Sequence, residues 1–213
     1  MNLSTINTLL FDLGGVVLNI APQKTIEAFT KLGLTDIQNQ ITHGHHSGLF
    51  KAFEQGSITE TEFILEIRKE ILTEATDQEI IQAWNAMLLD MPIQRVQIIE
   101  KLKEKYRVYL LSNTNSIHRS CFDTSARAYD KLSQLFHQVY YSYELKVSKP
   151  DKRAFEKVIE ASGLTPATTL FLDDSPQNIE TAKAMGFQTV LISDEFGMEQ
   201  VFNTEVDPKT ASE

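Results

Sequence analysis

The chain has 213 residues, 42% of them hydrophobic, enough to bury a core as one domain or as a domain carrying an insertion. Its 29 acidic against 20 basic side chains give a formal charge of −9. That balance argues against nonspecific binding to nucleic acid or to an anionic membrane, and favours a small diffusible partner.

A single cysteine, Cys121, excludes an internal disulfide. The N-terminal residues lack the basic stretch and small-residue cleavage pattern of a secretory signal, so a cytoplasmic location is expected. The longest apolar run is interrupted by Asp12 and Asn19 and falls short of the ~20 residues needed to span a bilayer.

Short runs rich in Val, Leu, Ile and Phe alternate with helix-period segments, the pattern of a parallel sheet covered by helices. The expected strands cover 6–11, 108–111, 139–141, 169–172 and 189–192. The first gap is too long for one crossover helix. From Pro22 to about Asp90 it holds four or five amphipathic patterns, among them "TETEFILEIRKEIL", with Phe63, Ile64, Ile67 and Ile71 at helical spacing. A small all-α insertion over residues 19–92 is expected, with 19–22 and 89–92 as candidate hinges because Pro22 and Pro92 stand where the chain must turn. Residues 1–18 and 93–202 then form a Rossmann-like α/β core with helices on both faces of its sheet. Helices over 151–162, closed by Gly163, and 176–185, closed by Gly186, read as crossover units. The last residues, 203–213, are polar and are expected to fray.

Chemistry collects at the strand ends. "TLLFDLGGVVLNI" places Asp12 directly after the first strand, "VYLLSNTN" delivers Ser112 and Asn113, and "TLFLDDSPQN" delivers Asp173, Asp174, Ser175 and Asn178. In a parallel sheet these ends share one edge, where ligands bind. Adjacent carboxylates in such a crevice repel one another, so Asp12, Asp173 and Asp174 call for a hard divalent cation, for which Mg²⁺ is the natural choice. Lys149, in "KVSKPD", offers a compact positive charge suited to a phosphate oxygen. Taken singly these features have plainer readings: Gly14 and Gly15 as a tight turn, Asp174 with Ser175 and Pro176 as a helix start.

Taken together, "FDLGGV", "LLSN", "SKPD" and "FLDDSPQNI" resemble the four ordered motifs of the haloacid dehalogenase-like hydrolases, over nearly the whole chain. The helical insertion after the first motif resembles that family's small four-helix cap. The resemblance implies a Mg²⁺-dependent phosphatase acting on a small phosphorylated metabolite. Asp12 would be the nucleophile and form an aspartyl phosphate. Ser112 and Asn113 would bind the phosphoryl group, Lys149 would neutralise nucleophile and phosphate oxygens, and Asp173 would assist. Asp12, the Gly14 carbonyl and Asp174 would hold the metal.

One departure stands out. The family's phosphatases usually carry a second aspartate two residues after the nucleophile, to protonate the leaving group; here that position is Gly14. General acid–base help contributes roughly 10²–10⁴-fold. A leaving group that departs easily, as in a sugar 1-phosphate, removes the need, and the first motif resembles the D-L-G-x-V of a sugar-phosphatase branch. Gly14 also leaves open a metal-independent 2-haloacid dehalogenase, since halide departs without a proton, and a binding protein with negligible turnover. Against the dehalogenase, Asp173 and Asp174 would repel an anionic haloacid.

In "THGHHSGLF", residues 42–50, a polar loop is the plain reading and a zinc site lacks a fourth ligand. His43 and His46 are candidates to contact substrate or replace the missing acid. Trp84 and Phe50, Phe53 and Phe63 read as helical core, Lys146 as solvent-facing, and Cys121 as a poor nucleophile. A monomer is expected, with no nucleic-acid or membrane partner.

Overall fold

The computed structural model describes residues 3–34, 36–42, 45–46, 48–124 and 129–203. Strand β1 (Thr8–Phe11) is buried at every position. The chain then enters a helical segment: α1 (Pro22–Lys31), α2 (Ile37–Gln40), a hairpin of β2 (Ile41–Thr42) and β3 (His45–His46), α3 (Gly48–Glu54), α4 (Glu60–Glu70) and α5 (Asp77–Asn85). It continues through α6 (Ile93–Leu102), β4 (Arg107–Ser112), α7 (Ser116–Phe122), β5 (Gln138–Tyr141), α8 (Ser142–Leu145), α9 (Lys152–Ser162), β6 (Thr169–Asp173), α10 (Pro176–Ala184), β7 (Gln188–Leu191) and α11 (Met198–Val201).

The five long strands form one parallel sheet in the order β5-β4-β1-β6-β7. Alternate side chains feed opposite faces, as strand geometry requires. Leu9, Phe11, Leu110 and Leu172 pack with α6 and α11 on one side. Leu10, Tyr109, Leu111 and Phe171 pack with α9 and α10 on the other. The expected α/β fold with helices on both faces is therefore present.

The helical segment has a core of its own, built on Phe29, Phe50, Phe53, Phe63, Ile67 and Trp84. Phe53 stacks on Phe63 at 4.4 Å between centroids, and Phe50 meets Trp84 at 5.0 Å. Capping boxes fix the starts of α4 and α5, where Thr59 and Thr76 pair reciprocally with Glu62 and Glu79. Part of the stretch read as a polar loop is ordered backbone instead. Thr42 of β2 pairs with His45 of β3, and Phe50 lies in α3 with its ring packed against Phe63.

The linkers joining this segment to the sheet pair with each other. Asn19 N–H donates to the Asp90 carbonyl, Leu89 N–H to the Asn19 carbonyl and Ala21 N–H to the Met87 carbonyl, at 2.8–3.0 Å. Pro22 opens α1, where its missing N–H costs nothing, and Pro92 precedes α6. Among the described residues no helix is long and apolar enough to cross a membrane. The expected tail lies, from residue 204 onward, outside the described residues, as does His43.

Candidate active site

Strands β4, β1 and β6 are neighbours, and because they are parallel their C-terminal ends meet at one edge. The chain leaves β1 for β4 and β5 on one side, then crosses to β6 on the other, so a ligand crevice forms where the strand order reverses. Asp12, Ser112 and Asp173 stand there, at the ends of adjacent strands.

Lys149 joins them. Its ammonium, on a side chain only 1% exposed, lies 2.7 Å from Asp12 Oδ1 and 2.7 Å from Asp173 Oδ2. Asn113 holds that lysine in place: its amide NH₂ donates to the Lys149 carbonyl and its Oδ1 accepts from the Lys149 N–H, both at 2.9 Å. Asp173 is saturated. Oδ1 accepts from Ser175 N–H and Asn178 Nδ2, and Oδ2 accepts from Lys149 and Asn178. Ser175, not Asp174, precedes α10, without a side-chain cap bond. Asp174 is thereby left to project from the strand end.

Gly15 explains how Asp174 fits. With φ at +73°, it adopts the left-handed conformation that glycine tolerates, and a Cβ there would lie 2.2 Å from Asp174 Oδ2. The turn after Asp12 thus closes against Asp174 only because residue 15 has no side chain.

Three carboxylates face one ammonium, and the imbalance is expressed in the titration of Asp12 and Asp174. Burial pushes the Asp12 carboxyl up to about 7, with Asp173 and Asp174 adding to the rise and Lys149 opposing it. Burial and the Asp173 charge push Asp174 up to about 6. For Lys149, burial favours the neutral amine, but Asp12 and Asp173 together hold it above its usual range. Carboxylate oxygens of Asp12, Asp173 and Asp174 lie within 4.8 Å of one another. This all-oxygen, charge-deficient set fits a hard divalent cation, with Asp12 and Asp174 presenting oxygens and Asp173 engaged behind them.

Asp12 and Asp174 line a cleft of about 760 Å³ that also contains Gly14, Ser112, Asn113 and Lys149, with Asp173 buried behind it. Ser112 ends β4 and is 3% exposed. The helical segment and its linkers contribute Ile41, Glu54, Met87 and Leu88 to the lining of the same cleft. Of His46 the structure describes the backbone, in β3 paired with Ile41. Cys121 is half-buried, and burial pushes its thiol up, away from a nucleophile's range. Lys146 is exposed, and its ammonium donates to the Gly56 carbonyl.

Sequence reasoning missed the Asn113 side-chain clamp and Glu54. A signal for Glu54 exists in hindsight. Phe50, Phe53 and Glu54 fall at helical spacing on one buried face, and a carboxylate in an apolar stripe is out of place unless it faces a polar site.

Comparison with known proteins agrees with this geometry. A family model described as haloacid dehalogenase-like hydrolase matches residues 6–186. A D-ribitol-5-phosphate phosphatase of Bacteroides thetaiotaomicron is 34% identical, over 86% of this chain and 90% of its own. A haloacid dehalogenase family enzyme of B. thetaiotaomicron, solved as an aspartate-to-alanine variant with magnesium and inorganic phosphate, superposes with a TM-score of 0.87. It is 37% identical, over 92% of this chain and 98% of its own. A protein of Porphyromonas gingivalis described as a predicted haloacid dehalogenase-like family hydrolase superposes with a TM-score of 0.85 and 30% identity, over 95% of this chain and 98% of its own. The chain belongs to the haloacid dehalogenase-like hydrolase family.

Proposed function

We propose that the protein is a Mg²⁺-dependent phosphatase that hydrolyses a small sugar or polyol phosphate through an aspartyl-phosphate intermediate. The observation that carries this reading is Lys149, buried between Asp12 and Asp173 with Asp174 beside them at the mouth of one cleft. Phosphoryl transfer needs positioned positive charge around the equatorial oxygens and an in-line nucleophile.

Asp12 attacks phosphorus. Lys149 shares its positive charge between the nucleophile and the incoming phosphate, and Asp173, through its bond to the ammonium, positions Lys149. Ser112 Oγ and the Asn113 backbone N–H hold phosphate oxygens. Mg²⁺, held by Asp12, Asp174 and the Gly14 carbonyl, would supply Lewis-acid stabilisation of the charge on the phosphoryl oxygens. The relative that acts on D-ribitol 5-phosphate supports a polyol or sugar phosphate as substrate class.

Residues 19–92 act as a cap over a core of 1–18 and 93–202, opening about the paired linkers. Support comes from the separate aromatic core of this segment and from the residues it adds to the lining of the cleft. His43 and His46 are substrate contacts from the cap; Ile41, the strand partner of His46, lines the cleft. A monomer in the cytoplasm completes the reading, in keeping with a small metabolite as substrate.

The test is phosphate release from sugar and polyol phosphates and p-nitrophenyl phosphate, with Mg²⁺ and with EDTA, using Asp12→Asn as control. Mg²⁺-dependent release that disappears in Asp12→Asn is expected. Release by a folded Asp12→Asn protein would refute the nucleophile. Metal-free halide release from 2-chloropropionate, without phosphatase activity, would establish the dehalogenase instead.

A further inference from the structure

A polyol or sugar departs from phosphorus as an alkoxide, a poor leaving group unless a proton reaches it as the bond breaks. Glycine at position 14 supplies none. Besides Asp12, Lys149 and Asp174, the titratable residues lining the cleft, among those described, are Glu54, His118 and Asp194.

Asp194 is exposed, beyond the end of β7. His118 is fixed in the wall: its ring stacks on Trp84 at 4.4 Å, and its Nε2 lies 3.1 Å from the Trp84 carbonyl oxygen. Glu54 is different in kind. It is 8% exposed yet lines the cleft, and it ends a helix whose Phe50 and Phe53 are locked into the aromatic core.

Its position is built from both sides. The Glu54 carbonyl accepts from Ser142 Oγ at 2.7 Å, and that same oxygen accepts from the Thr114 N–H at 2.8 Å. The Glu54 main chain is therefore tied, through Ser142, to the 112–114 turn that carries Ser112 and Asn113. Two residues on, Gly56 has φ +60°, and a Cβ there would lie 2.2 Å from the Tyr143 carbonyl oxygen. Lys146 donates to the Gly56 carbonyl at 2.7 Å, and Gln55 Nε2 to Ser148 Oγ at 3.1 Å. Phosphorus attacked by Asp12 from the sheet side ejects its leaving oxygen away from the sheet, and Glu54 is the buried acid that the helical segment adds to the cleft lining.

We propose that Glu54 is the general acid and base of this site, a reading that rests on the phosphatase assignment. In the first step an Asp12 carboxylate oxygen bonds to phosphorus, the bond from phosphorus to the substrate oxygen breaks, and that oxygen takes the proton of the Glu54 carboxyl. In the second step the Glu54 carboxylate takes a proton from water, the water oxygen bonds to phosphorus, and the bond to Asp12 breaks with its electron pair returning to Asp12. Alcohol and inorganic phosphate leave, and Glu54 is again protonated.

The experiment compares kcat/KM of the wild-type enzyme and Glu54→Gln on a polyol phosphate and on p-nitrophenyl phosphate, whose leaving group needs little protonation. This parameter reports the step in which the leaving group departs, so a slow second step does not mask it. The expected loss on the polyol phosphate is about 10²–10⁴-fold, and the loss on p-nitrophenyl phosphate is smaller by at least about tenfold. Equal losses on both, or none on the polyol phosphate, would overturn the assignment. Should Glu54→Gln fail to fold, the wild-type enzyme on phosphates of graded leaving-group pKa decides: a shallow dependence supports an internal proton donor and a steep one excludes it. Wild-type enzyme with no Mg²⁺-dependent phosphate release from any of these esters would fail the phosphatase reading itself, not Glu54.

Discussion

Lys149 Nζ stands 2.7 Å from Asp173 Oδ2, between side chains that are 1% and 0% exposed. Almost none of either side chain is exposed, so each charge depends largely on the other and on the hydrogen bonds that saturate Asp173. Removing one partner of a buried pair strands the other, at a cost of about 3–5 kcal/mol. Lys149→Met should therefore lower the melting temperature by roughly 6–20 °C as well as abolish turnover. Adding Asp173→Asn should restore part of the stability and none of the activity. A Lys149→Met protein as stable as wild type would mean that the buried pair adds nothing to the stability of the fold.

Asp12 stands in the opposite relation to stability. Its carboxyl ionises near 3.8 when unfolded and at about 7 in the metal-free fold, chiefly because it is buried. Between these values the native state holds the proton that the unfolded chain has released. Stability accordingly falls as pH rises from about 4 to about 7, and stays reduced above that. Asp12→Asn removes the penalty while keeping an acceptor for Lys149. In EDTA the variant should melt higher than wild type at about pH 8, with the advantage fading toward about pH 4. A constant difference across that range would show that burial of this charge does not set the stability. Such a gain on losing the reactive group is the ordinary stability cost of an active site.

Much of this architecture is legible in single segments of sequence. The strand at β1 carries the apolar run Leu9 to Phe11 directly before an acid, and α9 ends where Gly163 adopts a left-handed conformation. The strand-end acids are legible for the same reason, since a parallel sheet brings its C-terminal ends together. The contact between Lys149 and Asp12 spans 137 positions and follows no local periodicity, so it is reached only through the four motifs. The clamp of Asn113 on the Lys149 backbone, 36 positions away, leaves no local trace. Glu54 is hidden for another reason. Helical spacing places it one turn after Phe50, but that face reads as interior until the cleft it borders is known. The β2–β3 hairpin, with two residues to each strand, is too short for an alternating pattern to register.

The adjacent glycines 14 and 15 make different demands, and substituting each separates them. A Cβ on Gly15 would lie 2.2 Å from Asp174 Oδ2 and 2.8 Å from its Cγ, on a backbone with φ +73°. Gly15→Ala must displace the Asp174 carboxylate or unwind the turn after Asp12. Displacing a metal-site carboxylate by its supporting shell typically costs 10–100-fold in affinity, so the Mg²⁺ concentration for half-maximal activity should rise about 10–100-fold. At Gly14 the nearest obstacle is Ile20 Cδ1 at 3.2 Å, the far end of a half-buried side chain, and φ is not positive. Gly14→Ala should leave the Mg²⁺ requirement nearly unchanged, because the carbonyl remains and Ile20 can yield by a few tenths of an ångström. Titration of activity against Mg²⁺ for both variants checks the pair. Equal shifts would mean that the turn as a whole, rather than the approach of Asp174 to residue 15, sets the metal site.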